Sequence, residues 1–175
     1  MKWMRKVSVL VVALALSLGF ALAADLGGTA WQLSGTTKDK VKKVGSQKDV
    51  LPETYMYFDP DGTCTIQVCD PDEGGCEGLP CTWESSEGSR KFTFQMDDDA
   101  LEEILGNAFE DLVGAEPTDG TILMNRGKGK VSKDMSKIKL KLKLKASLTT
   151  TVEGETVTRK TTVKLKAKGT QINPK

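Results

Sequence analysis

The chain has 175 residues, 25 basic and 24 acidic, with a formal net charge of +1, four cysteines and no histidine. The missing histidine excludes Ser-His-Asp and Cys-His hydrolases, His-ligated zinc enzymes and imidazole general bases, and the near-zero charge argues against coating nucleic acid by bulk electrostatics. The length predicts one domain with a core of its own.

Lys2, Arg5 and Lys6 precede an apolar run from Val7 to Phe20, and Ala21-Leu22-Ala23 supplies small residues where a signal peptidase reads. This is a secretory pattern, with residues 1–23 as the signal peptide and the domain spanning 24–175. The apolar stretch is short for a membrane span of about 20 residues. Export to a periplasmic or secreted location is therefore expected.

Thr29–Ser34 alternates around Trp31 and Leu33 as a short strand, and Gly35-Thr36-Thr37 reads as its end. Lys38–Val44 is a candidate second strand, and Gly45–Pro52 reads as loop. Thr54–Cys69 is a hairpin. Pro60 suits the second position of a type I turn and Gly62 the left-handed position after it. Pairing across Pro60-Asp61-Gly62 sets Met56 against Ile66 and Phe58 against Cys64. Met56, Phe58, Cys64, Ile66 and Val68 then share one face, and a one-residue slip would mix the faces.

Cys64, Cys69, Cys76 and Cys81 follow the spacing C-x4-C-x6-C-x4-C. In an oxidising compartment they read as two disulfides, for which three connectivities exist. The nested pairing Cys64–Cys81 and Cys69–Cys76 is favoured because both pairs could face each other across one hairpin. Residues five apart point to opposite faces of a strand, so this pairing predicts a bulge or an early end to the ladder. A four-thiolate zinc site is the alternative, although such sites usually carry C-x2-C pairs.

A second hairpin joins Thr82–Glu84, with Trp83, to Arg90–Gln95, with Phe92 and Phe94. Leu101, Ile104, Leu105, Ala108, Phe109 and Leu112 then recur at helical spacing and predict a helix near 98–113. The carboxylates of its first turn suit the positive end of its dipole. Thr121–Met124 and part of Gly127–Lys133 are short strand candidates. Finally, Ile138, Leu140, Leu142, Leu144, Ala146 and Leu148 alternate with lysines, as do Val163, Leu165 and Ala167. A two-residue turn at Glu153-Gly154 sets Leu144 against Val163 and Leu142 against Leu165.

Eight or nine strands with one helix predict an all-β, antiparallel barrel or sandwich. A membrane barrel would put the leucines against lipid, but aromatic girdles are missing and few strands besides the last two carry the pattern. Three pieces carry a family resemblance: Gly28-Thr29-Ala30-Trp31, Tyr57-Phe58-Asp59-Pro60-Asp61-Gly62-Thr63, and Thr82-Trp83 followed by Gly88-x-Arg90-Lys91-Phe92-Thr93-Phe94. In layout the chain resembles small exported bacterial proteins of the lipocalin-like, calycin group. The resemblance implies an up-and-down barrel, a tryptophan at its closed end and a small apolar ligand as cargo. Two features depart from the family pattern: the helix precedes the long hairpin instead of following the last strands, and the cysteine cluster is not the usual arrangement.

Trp31, Met56, Phe58, Ile66, Leu140, Leu142, Leu144, Val163 and Leu165 are the candidate ligand-lining positions, against the alternative of a filled core. The helix is read as a structural plug rather than a lid. Asp59-Pro60-Asp61-Gly62, Asp70-Pro71-Asp72 and Asp97–Asp99 complete no calcium loop, and turn and cap chemistry accounts for each. With no assembled nucleophile, acid–base pair, metal site or cofactor motif, a non-enzymatic protein is expected.

Charge is unevenly spread. Residues 24–96 hold seven basic and twelve acidic groups, net −5; residues 97–124 hold nine acidic and no basic ones, net −9; residues 125–175 hold fifteen basic and three acidic ones, net +12. On the last hairpin Lys139, Lys141 and Lys143 fall beside Lys168, Lys166 and Lys164, and like charges directly opposite are unfavourable. A solvated face that blocks edge pairing is one explanation. Docking on an anionic surface or partner through Lys139, Lys141, Lys143, Lys164 and Lys166 is the other. No nucleic-acid partner is expected.

Overall fold

In the computed structural model the described residues are 26–70, 74–86 and 89–172, without the Asp70 side chain. The signal-peptide reading of 1–23 lies outside them. The elements are β1 (Thr29–Val41), β2 (Gly45–Val50), β3 (Glu53–Phe58), β4 (Thr63–Asp70), β5 (Gly75–Ser85), β6 (Lys91–Met96), α1 (Asp98–Val113), β7 (Asp119–Val131), β8 (Lys137–Val152) and β9 (Glu155–Ile172). All pairings are antiparallel, and β9 returns to pair with β1. β2 and β3 share one flank of β1, along Thr36–Val41 and Thr29–Leu33. Between these runs Ser34 and Gly35 face three residues, Leu51, Pro52 and Glu53. This bulge tolerates a proline, which has no N–H for the ladder. The two strands thus act as one, and the sheet closes as an eight-stranded up-and-down barrel, as expected.

Both sequence registers hold. Met56 faces Ile66 and Phe58 faces Cys64, while Leu144 faces Val163 and Leu142 faces Leu165. Gly62 takes φ 90° in the first turn, and Asp61 Oδ1 accepts from the Thr63 backbone N–H at 2.9 Å. The helix is capped by Asp97, whose side chain accepts from the Asp99 N–H, and by left-handed Gly114.

Other expectations are corrected. β1 does not end at Gly35. A Cβ there would fall 2.1 Å from the Lys166 carbonyl oxygen, so this glycine permits close approach of β9 rather than a turn. The chain reverses instead at residues 42–44, and Gly45–Val50 is a strand rather than a loop. Every residue of β2 is exposed, so no apolar alternation marks it. β5 begins at Gly75, well before Thr82, and its first half is held by β4. The two candidates around residues 121–133 are one strand, β7, with an irregularity between Ile122 and Met124.

The disulfides are the nested pair, Cys64–Cys81 and Cys69–Cys76, and no bulge is needed. The β4–β5 ladder runs unbroken from Thr63–Thr82 to Asp70–Gly75. Residues five apart change face on both strands together, so one disulfide faces the core and the other the outside.

At one end of the barrel Trp31 is fully buried, with its Nε1–H donating to Thr29 Oγ1 at 2.9 Å. Phe58 meets Trp83 and Phe92 edge-on nearby, with centroids 5.5 and 5.2 Å apart. At the other end α1 packs on β1, β8 and β9, burying Leu101, Leu105 and Phe109. The plug reading of the helix matches this packing.

Candidate functional site

The alternation on β8 and β9 sends leucines inward and lysines outward, the reverse of a membrane barrel. Among the described residues no helix is long and apolar enough to cross a membrane.

Adjacent strands carry the outward lysines to matching heights, so they form rungs around the wall. One rung runs Lys91, Lys130, Lys139, Lys168 across β6 to β9. The next runs Lys128, Lys141, Lys166. A third runs Arg126, Lys143, Lys164 and continues through Lys38 on β1 to Lys48 on β2. Neighbouring strands lie about 4.8 Å apart and alternate residues about 6.8 Å apart, which defines a two-dimensional lattice of positive charge. Among the described residues no lysine or arginine has a carboxylate within 4.0 Å, so the face is uncompensated.

The expected Lys139, Lys141, Lys143, Lys164 and Lys166 come together here. Sequence reading missed Arg126, Lys128 and Lys130 on β7 and Lys38, Lys48 and Lys91 beyond. The alternation Arg126-x-Lys128-x-Lys130 was visible, but its inward partners are Gly127 and Gly129, so it lacked the apolar half of a strand signal.

The face is grooved. A cleft of about 750 Å³ lies over β5 to β8, between Ser85, Ser86, Ser89 and Thr93 on one side and Arg126, Lys128 and Lys130 on the other. A second, about 420 Å³, shares Arg126, Lys128 and Lys141 with it and reaches Lys164 and Lys166. A third, about 570 Å³, shares Lys139 and extends to Lys168, Ser34 and Gln32.

The nine candidate ligand-lining residues also meet, in the barrel interior. Trp31, Met56 and Leu144 have no exposed surface, and Leu142 has the most among the buried eight, 5%. Leu165 is partly buried against them. Side chains around a void that admits water keep surface that water can touch, and these keep almost none. Phe92 and Phe94 fill the space left by Gly129 and Gly127.

The carboxylates gather elsewhere. Asp98, Asp99, Glu102, Glu110 and Asp111 are exposed on α1. Asp39 shares the inward face of β1 with Val41. Burial, then the charges of Asp49 and Asp111, push its carboxyl above the usual range. Glu103 is also raised, by desolvation and then by its hydrogen bond to Glu77 on β5. Among the described residues no group of three or more cysteines and carboxylates is placed to hold a metal ion. Asp61 and Asp97 serve the turn and the helix cap. Two disulfides fit an oxidising, extracytoplasmic setting. No protein-family model matches the chain, and no curated protein matches it.

Proposed function

We propose that the protein is an exported, non-enzymatic binding module that docks on a polyanionic partner through the outer face of β7 to β9. The observation that carries this reading is the run of like charges set directly opposite one another across three neighbouring strands, with no acid between them. Each such pair is unfavourable in the free protein. Edge protection does not account for the first two rungs, because β7 pairs with both β6 and β8 at Lys130 and Lys128, and β8 and β9 have partners on both sides; only Arg126 lies past the end of the β6–β7 ladder. A counter-charge supplied from outside removes the repulsion and gives the arrangement a use. Carriage of a small apolar molecule, which the lipocalin-like resemblance implies, has less support because the interior side chains fill the space they enclose.

The test is binding of the full mature chain to a polyanionic matrix as salt is raised. Affinity is expected to fall steeply, with a slope that follows the number of cations engaged. Changing Lys139, Lys141, Lys143, Lys164 and Lys166 to Gln is expected to weaken binding and flatten that slope. Changing Lys42, Lys43 and Lys133, which lie off the rungs, is expected to leave both nearly intact. Equal effects of the two sets would reject the face.

A further inference from the structure

Resting on that reading of the outer face, we propose that its occupant is an acidic polysaccharide, seated in the cleft over β5 to β8. The two walls of this cleft differ in chemistry. Arg126, Lys128 and Lys130 on β7 present cations, with Lys139 and Lys141 behind them, while the β5–β6 side adds hydroxyls at Ser86, Ser89 and Thr93 beside a single cation, Lys91. Ser89 Oγ accepts from the Lys91 backbone N–H at 3.1 Å, which leaves its own proton to donate. A sugar acid carries both matching sets, carboxylate or sulfate groups for one wall and ring hydroxyls for the other.

Glu84 stands at the rim of the same cleft. It repels a uniformly dense anion, such as a polyphosphate, but accepts hydrogen bonds from a sugar. Continuity favours a chain: the neighbouring clefts share Arg126, Lys128, Lys141 and Lys139 with this one, so successive saccharide units have adjoining seats. Among the described residues the cleft over β5 to β8 offers no exposed aromatic platform on which bases could stack, its one ring, Phe92, being buried. Tyr55 and Tyr57 lie on β3, away from the cleft over β5 to β8, although Tyr55 neighbours Gln32 of the third cleft. A bilayer is planar, whereas this surface is convex with concave seats. The two disulfides fit an oxidising setting, where acidic glycans are among the polyanions a chain can meet.

The experiment compares probes of equal charge number at one ionic strength: a polygalacturonate oligomer, a sulfated oligosaccharide, a polyphosphate and an oligothymidylate, with a neutral glucan as control. Titration calorimetry is expected to show at least one acidic oligosaccharide binding about tenfold tighter than the polyphosphate and the oligothymidylate, the margin expected of a few added neutral hydrogen bonds. The variant Ser86→Ala, Ser89→Ala, Thr93→Val is expected to lose most of that margin while binding polyphosphate as before, which also reports its fold. Arg126→Gln with Lys128→Gln is expected to weaken every anionic probe. Equal or tighter binding of polyphosphate or oligothymidylate overturns the glycan assignment and leaves the polyanion reading standing. An unchanged margin in the hydroxyl variant overturns the cleft. No binding of any polyanion at low salt removes both. Salt-sensitive self-association that blocks the probes overturns the glycan in favour of a second copy's acidic helix.

Discussion

Gly129 of β7 lies beneath the ring of Phe92 on β6, its direct partner across the ladder. A Cβ added to Gly129 would fall 1.9 Å from Phe92 Cζ. Phe94 stands over Gly127 in the same way, at 2.5 Å. The glycines are the small halves of two large–small pairs that fill the barrel interior. Gly129→Ala is expected to destabilise the protein by about 1–3 kcal/mol, the usual cost of overpacking a core. Urea unfolding checks this. Adding Phe92→Leu to Gly129→Ala should recover part of the loss, and additive effects of the two changes would show that the ring and the glycine are not coupled.

The two disulfides should differ in worth. Cys64–Cys81 closes a separation of 17 residues and Cys69–Cys76 one of 7. Loop-closure entropy assigns roughly 3 kcal/mol to the first and roughly 2.4 kcal/mol to the second. Cys64 and Cys81 are also in the core, whereas Cys76 is exposed, so removing the first pair adds a packing loss. The Cys64→Ala, Cys81→Ala variant is therefore expected to melt well below the Cys69→Ala, Cys76→Ala variant. The reverse order in thermal unfolding would contradict this ranking.

What the sequence made legible follows the physics of local signals. The hairpins at Pro60-Asp61-Gly62 and Glu153-Gly154 combined a turn of defined geometry with alternation on both arms, and their registers came out residue for residue. The helix had a cap, a period and a stop. By contrast, β2 and the first half of β5 are held by a neighbour and by disulfides, not by an apolar face of their own. Gly35 imitated a turn because close backbone approach and chain reversal both call for glycine. The rungs were half visible: β8 and β9 declared theirs, but Arg126, Lys128 and Lys130 join them only once β7 takes its place in the wall. Closure through β1 and β9 joins the two ends of the domain and leaves no local trace. The hydroxyl wall of the main cleft depends on that assembly as well.

Stability should rise on mild acidification. Asp39 Oδ1 is buried without a hydrogen-bond partner, and burial first, then Asp49 and Asp111, raise its native pKa above the unfolded value of 3.8. Glu103 shifts in the same direction. A carboxyl raised in the native state binds its proton there first. Its cost to folding is therefore full above the native pKa and is relieved as pH falls from that value towards the unfolded one. Asp39→Asn removes the charge while keeping the shape. It is expected to be more stable than the parent at about pH 7, with the gain shrinking towards about pH 4 as the parent's carboxyl protonates. Paired urea titrations across this range measure it, and a less stable variant at neutral pH would contradict the assignment.

Lys141 has Lys128 on one side and Lys166 on the other, so the cationic face should weaken the free protein in a way that salt relieves. Opposed like charges on neighbouring strands are destabilising, and neutralising Lys141 relieves two pairs at once. Lys141→Gln is thus expected to raise the melting temperature at low ionic strength. At about 1 M salt the screening length falls to about 3 Å, less than the spacing between strands, and the parent should gain stability until the difference from the variant nearly closes. The same substitution should weaken polyanion binding, so stability and affinity move in opposite directions. That opposition separates a binding face from an inert solvated one, for which neutralisation would change stability alone. A Lys141→Gln variant that is more stable yet binds polyanions as tightly as the parent would leave the lattice without the role proposed for it.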